Sequence, residues 1–594
     1  MKVTHRIICT LLLAGGCNMG ILAQENKTYI LHTIEKGQSL YSIASMYGVS
    51  KADIIRLNPG SDERIYAGHT LRIPRQGNND QQETFHTIKQ GETLYRISQI
   101  YNIPSKDICD ANPGLSASNF RIGQVICIPA PKQDETSQQV LPSTDVFGIQ
   151  GAVQSRCKDM HRVKRKETVF SISRAYQITE KELIAANPEL QGKNKIKKGS
   201  FLCIPYTSSA TLTPNTTPQV IPSDSDLFNQ NKNTTEHFSS IQAAVVLPFL
   251  NNADSRGESA RMIEYYEGFL MAVDSLKRTG VSVDLYTYHA GNDVSSIQQV
   301  LSKKEMQKMD IIFGPLQPQQ IKPMAAFADK HKIRLVIPFT SKDNSVFSNP
   351  AIYQINTPQS YLYSEVYDHF LRQFPNAHVI FIEASSGTRE KAEFIKGLKD
   401  ELRSHSIPVT SIKEDTPMES MKTVLRNDRT NIFIPTSGNN LVLIKILPQL
   451  TLLVRDNPDT PIHLFGYPEW QTYTKDYLDT FFELDTYFYS SFYTNNLLLA
   501  AKNFTKNYRK WFGKEMEERY PKYGMLGFDT GYFFLKGLSK YGSDLENNLQ
   551  KMDLVPIQTG FKFQRVNNWG GFINRKVFFV RFTKNFELIK LDFD

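Results

Sequence analysis

The 594-residue sequence predicts a multidomain chain: three small α+β modules with the order strand, helix, helix, strand (βααβ), followed by a two-lobed α/β clamshell with doubly wound parallel sheets. Three observations support this prediction. A segment of about 45 residues recurs three times before residue 206. Apolar strand patterns and amphipathic helix patterns alternate from residue 240 onward. The chain is also too long for a single hydrophobic core.

The first 23 residues have the pattern of an export signal, with a basic start at Lys2 and an apolar run over residues 7–13. Two ends of this segment remain open: cleavage after Ala23, or a lipobox-like sequence that would leave Cys17 as a lipid-anchored N-terminus. No later stretch has 18 uninterrupted apolar residues, so we expect no membrane-spanning helix in the mature chain. The sequence thus predicts export to the periplasm or cell wall, with membrane attachment only if Cys17 is lipidated.

Charge and composition exclude one class of partner. The formal net charge is +9, charged residues make up 22% of the chain, and no Lys/Arg stripe marks a nucleic-acid surface. A modest positive charge is compatible with a polyanionic cell wall, and we therefore expect no nucleic-acid partner.

The three copies share a motif that predicts their secondary structure. Each opens on an alternating, histidine-containing stretch typical of a strand and continues with a Ser or Thr placed to cap a helix. Asn-Pro then ends a second helix, and an apolar strand closes each copy at Ile-Pro. The histidine, capping and asparagine positions are His32, Ser39 and Asn58, then His86, Thr93 and Asn112, then His161, Thr168 and Asn187.

This motif resembles the LysM family over residues 28–75, 83–130 and 157–206. The resemblance implies a shallow groove between two loops, in which loop backbone groups bond the acetamide of N-acetylglucosamine and aliphatic side chains cover the sugar. The third copy departs from the pattern, because Lys166 replaces the turn glycine and Val169 replaces leucine. Carried over by position, the groove residues are Gly37, Gln38, Ser39, Leu40, Asn58, Pro59 and Gly60 in the first copy, and Gly91, Glu92, Thr93, Leu94, Asn112, Pro113 and Gly114 in the second.

Cysteines and linkers complete the N-terminal region. Apart from Cys9 and Cys17 in the export segment, all cysteines lie in or beside the second and third copies, and an even number favours disulfides in an exported chain. Residues 131–156 and 207–239 are rich in Ser, Thr, Pro, Asn and Gln, which predicts flexible spacers. The preferred disulfides are Cys109–Cys127 and Cys157–Cys203, with four unbridged thiols as the alternative.

From residue 240 the pattern favours two doubly wound α/β lobes with right-handed crossovers. The predicted strands include residues 243–249, 283–288, 311–315, 379–382, 431–434 and 462–466. The ordered phrases at 245–249, 266–274, 311–316 and 527–532 resemble type I periplasmic binding proteins, the Leu/Ile/Val-binding-protein-like clamshells, across 240–594. The resemblance implies that the chain crosses between lobes near 353–360, 487–495 and 555–560.

In that fold a ligand lies between the lobes, against loops at the carboxyl ends of strands. Amino-acid binders of the family use small hydroxyl residues to hold the ligand carboxylate, whereas residues 316–320 here read Leu-Gln-Pro-Gln-Gln. This departure speaks against amino-acid binding and leaves either another small molecule or an envelope protein as the partner of the cleft. The candidate cleft residues are Gln317, Gln319, Thr340, Ser341, Ser385, Ser437 and Tyr467.

A search for catalytic motifs favours a protein that is not an enzyme. Residues 206–594 contain no cysteine, and a zinc-type His289-x-x-x-Asp293 lacks its companion His-x-His. No cofactor and no metal are predicted. The leading hypothesis is a non-catalytic, peptidoglycan-binding envelope protein whose clamshell acts in ligand sensing or protein interaction during cell-wall biogenesis. A solute-binding protein of an ABC-type transporter is the first alternative, and a cell-wall hydrolase is the second.

Overall fold

The structure is a computed structural model of the chain. It describes residues 29–35, 38–62, 65–74, 84–130, 159–163, 167–176, 178, 180–187, 190, 196, 201–204, 222–230, 235–250, 256–385, 390–496, 498–552 and 554–593. The export segment 1–23, which contains Cys17, lies outside these ranges. The same holds for Cys157 and for the turn residues Gly37 and Lys166.

Each of the three repeats forms the predicted βααβ module. Its two strands pair antiparallel, from Tyr29 opposite Pro74 in the first module to Arg162 opposite Phe201 in the third. The elements are β1 (Tyr29–Thr33), α1 (Leu40–Tyr47), α2 (Lys51–Leu57) and β2 (Thr70–Pro74); β3 (Thr84–Thr87), α3 (Leu94–Tyr101), α4 (Ser105–Ala111) and β4 (Val125–Ile128); β5 (Asp159–Arg162), α5 (Val169–Ala175), α6 (Glu180–Ala186) and β6 (Phe201–Ile204).

The predicted caps begin the first helix of every module. The side chains of Ser39, Thr93 and Thr168 each accept a hydrogen bond from the backbone N–H three residues later, which satisfies an N–H group that has no partner inside the helix. In the first module α1 ends at Gly48, whose φ of 65° is the left-handed conformation that glycine adopts without strain.

The predicted spacer 207–239 contains a helix, which corrects the expectation of a wholly flexible linker. Residues Asp224–Gln230 form α7. The hydroxyl of Ser223 accepts from the N–H of Asp226 at 3.2 Å, and the carboxylate of Asp226 accepts from the N–H of Ser223 at 3.3 Å, which is a capping box. Leu227 and Phe228 are buried against the second module, so tertiary contact stabilises a segment that is otherwise polar.

The clamshell alternates strands and helices as predicted, and the chain builds its two lobes in turn. The first lobe begins with β7 (Ile241–Leu247), α8 (Arg256–Lys277), β8 (Val283–His289), α9 (Val294–Leu301), β9 (Ile311–Phe313), α10 (Pro318–His331), β10 (Arg334–Ile337) and β11 (Ile352–Gln354). The second lobe follows with α11 (Gln359–Gln373), β12 (Ala377–Glu383), α12 (Ala392–Ser404), β13 (Val409–Lys413), α13 (Met418–Val424), β14 (Thr430–Pro435), α14 (Asn440–Asp456), β15 (Ile462–Gly466), α15 (Thr474–Glu483) and β16 (Thr486–Ser490).

The remaining elements return to both sheets. They are α16 (Leu499–Phe512), α17 (Tyr523–Tyr541), β17 (Phe563–Arg565), β18 (Phe572–Asn574), β19 (Phe578–Phe582) and β20 (Leu588–Leu591). Among the described residues of the clamshell, 3₁₀ segments lie at Lys304–Lys308, Ser345–Phe347, Pro468–Tyr473 and Gly542–Lys551. The first sheet has the order β17-β18-β11-β10-β9-β7-β8, and the second has the order β13-β12-β14-β15-β16-β19-β20. Most neighbours are parallel, whereas β17, β19 and β20 pair antiparallel with their neighbours.

This strand order locates the passages between the lobes. The first lies between β11 and β12, and the second follows β16, close to the predicted positions. The third lies at residues 575–577, between β18 and β19, and the prediction of 555–560 is wrong. The reason is that α17 packs along α8 and that β17 and β18 join the first sheet before the chain leaves that lobe.

Both faces of the first sheet are covered, as a doubly wound fold requires. Along β7, Ala243, Val245 and Leu247 belong to the core beneath α8 and α17, whereas Ala244 and Val246 belong to the core on the other face. That second core continues through residues 566–573 into the core of the first module. By chain range, residues 1–131 and 223–594 form one compact unit, and residues 132–222, which hold the third module, form another.

Two sequence expectations concern the cysteines and the membrane. Cys109 and Cys127 are not joined by a disulfide in the structure, and the bridge stays a prediction. The Cys157–Cys203 bridge involves a residue outside the described ranges. Among the helices that the structure describes, none has the length and apolar character needed to cross a bilayer.

An ion pair between the residue that precedes β16 and a residue of β19 predicts how the second lobe responds to acid. Arg581 donates to both carboxylate oxygens of Asp485, at 2.7 and 2.8 Å. Burial alone would raise the pKa of Asp485, but hydrogen bonds from Arg581 and His463 outweigh it and lower the pKa to about 2. Because the folded-state pKa lies below the unfolded value, this group stabilises the fold above about pH 4 and less as the pH falls toward 2.

We therefore expect Asp485→Asn to lower the free energy of unfolding by about 1–2 kcal/mol at pH 7, and the difference from the wild type to shrink progressively as the pH falls from about 4 toward 2. Urea unfolding of the full chain over a pH series measures both effects. The exposed Asp479→Asn on α15 is the matched control and should behave as the wild type. A difference that stays constant down to pH 3 would contradict the assignment.

Candidate functional site

The candidate groove of each module lies between the loop that enters its first helix and the loop that leaves its second helix. In the first module, the Oγ of Ser39 accepts from the N–H of Ser42 at 3.1 Å, and Leu40 is only 6% exposed within the core. Ser39 caps the helix and Leu40 packs in the core, so both side chains are already engaged. The groups of this loop that a ligand can contact are those of its backbone. Gly37 lies outside the described residues.

A histidine in the opening strand hydrogen-bonds both this loop and the first helix. The sequence did not predict that these residues form one hydrogen-bonded group. In the first module, Nδ1 of His32 lies 2.8 Å from the hydroxyl of Tyr47, and Nε2 lies 2.7 Å from Oε1 of Gln38. The second and third modules repeat the arrangement with His86, Tyr101 and Glu92, and with His161, Tyr176 and Glu167. The identical spacing of these residues in all three copies was the available sequence signal.

Two predicted groove residues therefore point into their modules. Gln38 accepts from the N–H of Glu35 at 2.9 Å, and Glu92 accepts from the N–H of Lys89 at 2.8 Å, in addition to their histidine contacts. Burial would raise the pKa of Glu92, but its hydrogen bonds from Lys89 and His86 leave it lowered. Both side chains hold the loop closed upon the strand, and their contact with glycan stays a prediction.

The asparagine of each Asn-Pro pair is also engaged within its module. The Nδ2 of Asn112 donates to the carbonyls of Ile108 and Cys127 at 2.7 and 2.6 Å, and its Oδ1 accepts from the N–H of Cys127 at 2.8 Å. Asn58 makes the same set of bonds in the first module. The asparagine side chain thus ends the second helix and holds the closing strand in place. Only the loop residues that follow it remain available for contact with a ligand.

The exposed part of the groove differs between the first two modules. Pro59 and Gly60 of the first are exposed, and a Cβ built at Gly60 would meet no described atom within 4 Å. In the second module Gly91, Thr93 and Pro113 are exposed. Gly114 is not, because a Cβ there would lie 2.7 Å from Cδ of Arg565 in the clamshell.

The first two modules dock on the first lobe of the clamshell. The indole of Trp569, at the tip of the β17–β18 hairpin, packs against the rings of Tyr47 and Phe85 with centroids 5.9 and 5.0 Å away. Beside it, the carbonyl of Asn568 accepts from the N–H of Gly114 at 2.8 Å. The sequence did not predict this contact, because Trp569 lies in a turn whose local sequence is typical of an exposed loop.

The predicted cleft residues of the first lobe mostly bond within that lobe. Gln317 donates to Glu258 at 2.8 Å, and Gln319 donates to the carbonyl of Asn292 at 2.8 Å. Thr340 accepts from the N–H of Lys342 at 3.2 Å. These bonds connect neighbouring strand-end loops to one another.

Ser341 has a different position from its predicted companions. It lines a cavity of about 140 Å³ that is shared with Tyr41 of the first module and Asn344. The amide of Asn344 donates to the hydroxyl of Tyr41 at 2.7 Å, so this cavity lies between the first module and the clamshell. A second cavity, of about 600 Å³, lies between α8, α16 and α17, and none of the predicted cleft residues lines it.

In the second lobe, a carboxylate of the chain already occupies the candidate anion position. The hydroxyl of Ser437 and the N–H of Gly438 both donate to Oε1 of Glu390 at 2.9 Å, just before α14. Lys391 pairs with Glu469 at 2.6 Å and lies 4.7 Å from the ring centroid of Tyr467. Hydroxyl and N–H groups that would suit a ligand carboxylate are therefore engaged with an internal one.

Two further cleft candidates serve the lobe itself. Tyr467 is fully buried, and its hydroxyl donates to the carbonyl of Pro435 at 2.6 Å. Ser385 hydrogen-bonds Glu414, whose pKa burial would raise but which its bonds from Lys445 and Ser385 lower. Of these two cleft candidates, Tyr467 and Ser385, only Ser385 is exposed to solvent.

The zinc-like pair in the first lobe has structural contacts. Nδ1 of His289 accepts from the N–H of Phe249 at 3.1 Å, and Asp293 caps α9 by accepting from the N–H of Ser296 at 2.7 Å. Within the part of the chain that the structure describes, no group of three or more His, Cys, Asp or Glu side chains is arranged to hold a metal ion.

The LysM domain family matches residues 32–74, 86–129 and 161–205, which are the three modules. The repeats are LysM domains. Similar proteins include an N-acetylmuramoyl-L-alanine amidase of Staphylococcus haemolyticus, 24% identical over 128 residues, and an autolysin of Enterococcus faecalis, 30% identical over 103 residues. These alignments cover 20% and 16% of this chain, and the chain spans only 39% and 14% of the length of those relatives. The amidases match only the LysM region.

Solved structures similar to the rest of the chain are ABC-transporter substrate-binding proteins. One from Desulfitobacterium hafniense is 13% identical with a TM-score of 0.34, and a putative branched-chain amino acid transporter protein from Rhodospirillum rubrum is 10% identical with a TM-score of 0.42. Each comparison covers 59% of this chain and 100% of the other. The two-lobed architecture itself follows from the two mostly parallel sheets described above.

The histidine of the first LysM domain offers a test of the loop geometry. Burial lowers the pKa of His32, while its hydrogen bond with Gln38 acts in the opposite direction. Gln38→Glu places a carboxylate on Nε2, and we expect the pKa of His32 to rise by about one unit or more. An NMR titration of the histidine Cε1 protons measures the shift. His86, which already faces Glu92, is the internal control, and an unchanged His32 titration would contradict the contact.

Proposed function

We propose that this chain is a non-catalytic protein of the cell envelope that binds the N-acetylglucosamine glycan of peptidoglycan through its LysM domains. Its clamshell acts in protein interaction or ligand sensing during cell-wall biogenesis. The observation that carries the proposal is the presence of three LysM domains, the first of which exposes Pro59 and Gly60. Export follows from the signal-like first 23 residues, with Cys17 as the point of membrane attachment if it is lipidated.

The geometry of the first LysM domain supports a role beyond simple retention at the wall. Its helix α1 contacts the clamshell through Tyr41 and Tyr47, and its core is continuous with that of the first lobe. A glycan bound at Pro59 and Gly60 would therefore be held by the same compact unit that contains the clamshell. Binding energy at a single shallow site is small, and linked sites raise retention through effective concentration.

Wall binding is tested by sedimentation of the mature full chain with purified peptidoglycan. Pro59→Glu puts a charge with no glycan partner on an exposed groove residue, and we expect bound protein to fall several-fold. The control Lys51→Gln changes an exposed residue of the same module on α2 and should leave binding intact. A soluble tetramer of N-acetylglucosamine should compete with the wall. Failure of the wild type to sediment would overturn the proposal, and release of soluble wall fragments would favour the hydrolase alternative.

The solute-receptor alternative makes a separate prediction. Because Glu390 occupies the hydroxyl and N–H groups before α14, a branched-chain amino acid would have to displace an internal carboxylate. We expect leucine, isoleucine and valine at about 1 mM to leave the melting temperature of the full chain unchanged. Differential scanning fluorimetry measures this. A rise of several degrees with any of them would favour a solute-binding function instead.

A further inference from the structure

The structure assigns a ligand-like role to helix α7, which lies across both loops of the second LysM domain. We propose that residues 223–230 occupy the groove of this domain as an internal ligand and close it to glycan, so that the first LysM domain is the open site of the unit formed by residues 1–131 and 223–594. The inference rests on the proposed glycan-binding function and names which repeat performs it.

The first contact is with the loop that enters α3. The N–H of Leu94, the first residue of that helix, lacks a partner within the helix, and Oδ1 of Asp224 accepts from it at 2.8 Å. Thr93 meanwhile caps the same helix through the N–H of Arg96. Loop backbone groups of this kind are the ones expected to bond the acetamide of a sugar, and here a carboxylate of the chain holds one of them.

The second contact is with the loop between α4 and β4. The ring of Phe228 packs on Phe120 with centroids 5.9 Å apart. Leu227 and Phe228 are 6% and 7% exposed, and they share one core with Leu94 and Leu115. Aliphatic and aromatic side chains therefore cover the apolar floor of the groove, as a sugar face would.

The first LysM domain provides the comparison within the same molecule. Gly60 faces open space among the described atoms, whereas Gly114 at the equivalent position abuts Arg565 and Asn568. In the second domain, α7 thus contacts Leu94 and the α4–β4 loop, and the clamshell hairpin covers Gly114, whereas Gly91, Thr93 and Pro113 stay exposed. The matching loops of the third domain lie largely outside the described residues.

The covering helix is suited to reversible release. It has seven residues, and isolated helices of that length are marginal in water. Its own capping box between Ser223 and Asp226 preorganises it without attaching it to the LysM domain. A long glycan that engages the first domain could compete for the second only by displacing Asp224, Leu227 and Phe228 together.

The test uses the mature full chain with Pro59→Glu as the background, which removes the open site. Isothermal titration with a tetramer of N-acetylglucosamine counts the remaining sites. We expect Asp224→Ala combined with Phe228→Ala to add one site, and Asp224→Asn alone to weaken the cover and raise the apparent affinity several-fold. The control Asn229→Ala combined with Gln230→Ala changes exposed residues of the same helix and should add none.

A second readout does not depend on sugar binding. Amide hydrogen exchange at Leu94 should be protected in the wild type and should accelerate at least about tenfold in Asp224→Ala, while amides within the β3–β4 ladder keep their rates. Unchanged exchange at Leu94, or an equal number of sugar sites with and without the α7 substitutions, overturns the inference. If no variant binds the tetramer, the proposed glycan function fails, and the exchange of Leu94 still decides whether α7 covers the groove.

Discussion

The position of the first two LysM domains on the clamshell depends on one buried indole. Trp569 is 5% exposed and lies between Tyr47 of the first domain and Phe85 of the second. Burial of an aromatic ring of this size is worth several kcal/mol, because its removal leaves a cavity in addition to the lost transfer energy. The hairpin that carries it is fixed in turn, since the N–H of Gly571 donates to Val346 at 2.7 Å and a Cβ there would lie 2.4 Å from the carbonyl of Ile352.

This hairpin connects the first two LysM domains with the passage between the lobes. β18 follows Trp569 directly, and residues 575–577 then lead to β19 in the second sheet. The same hairpin thus contacts the first two LysM domains and leads directly into the passage between the lobes.

The sequence predicted the regular parts of the fold because local patterns specify them. Apolar runs predicted strands such as β7, β9 and β12, and the capping residues predicted the start of each first LysM helix. Helix α7 was missed, although Ser223 and Asp226 form a capping box, because seven residues in a polar stretch become helical only when Leu227 and Phe228 are buried by tertiary contact. The docking of Trp569 was missed for a related reason, since the neighbouring Asn568 contacts a residue 443 positions away.

The candidate groove was less predictable than the modules that carry it. The motif residues that recur most regularly turned out to serve the module itself: the histidine bridges the loop and helix, and the asparagine ends α4 and fixes β4. A recurring motif reports what every copy needs in order to fold, and ligand contact through loop backbone leaves little trace in residue identity. Whether a given copy is open depends instead on distant segments, such as the hairpin beside Gly114.

The two positions where an external ligand was expected are both met by carboxylates of the chain, and the physics explains why they differ in consequence. Asp224 accepts from the first N–H of α3, and Glu390 accepts from Gly438 just before α14, so each places negative charge where a helix N-terminus favours it. Glu390 lies beside Lys391, which pairs with Glu469 inside a well-packed lobe, and its displacement would disturb several loops. Asp224 belongs to a seven-residue helix that two apolar side chains, Leu227 and Phe228, hold against the domain. Glu390 is part of the architecture of its lobe, whereas Asp224 can act as a cover.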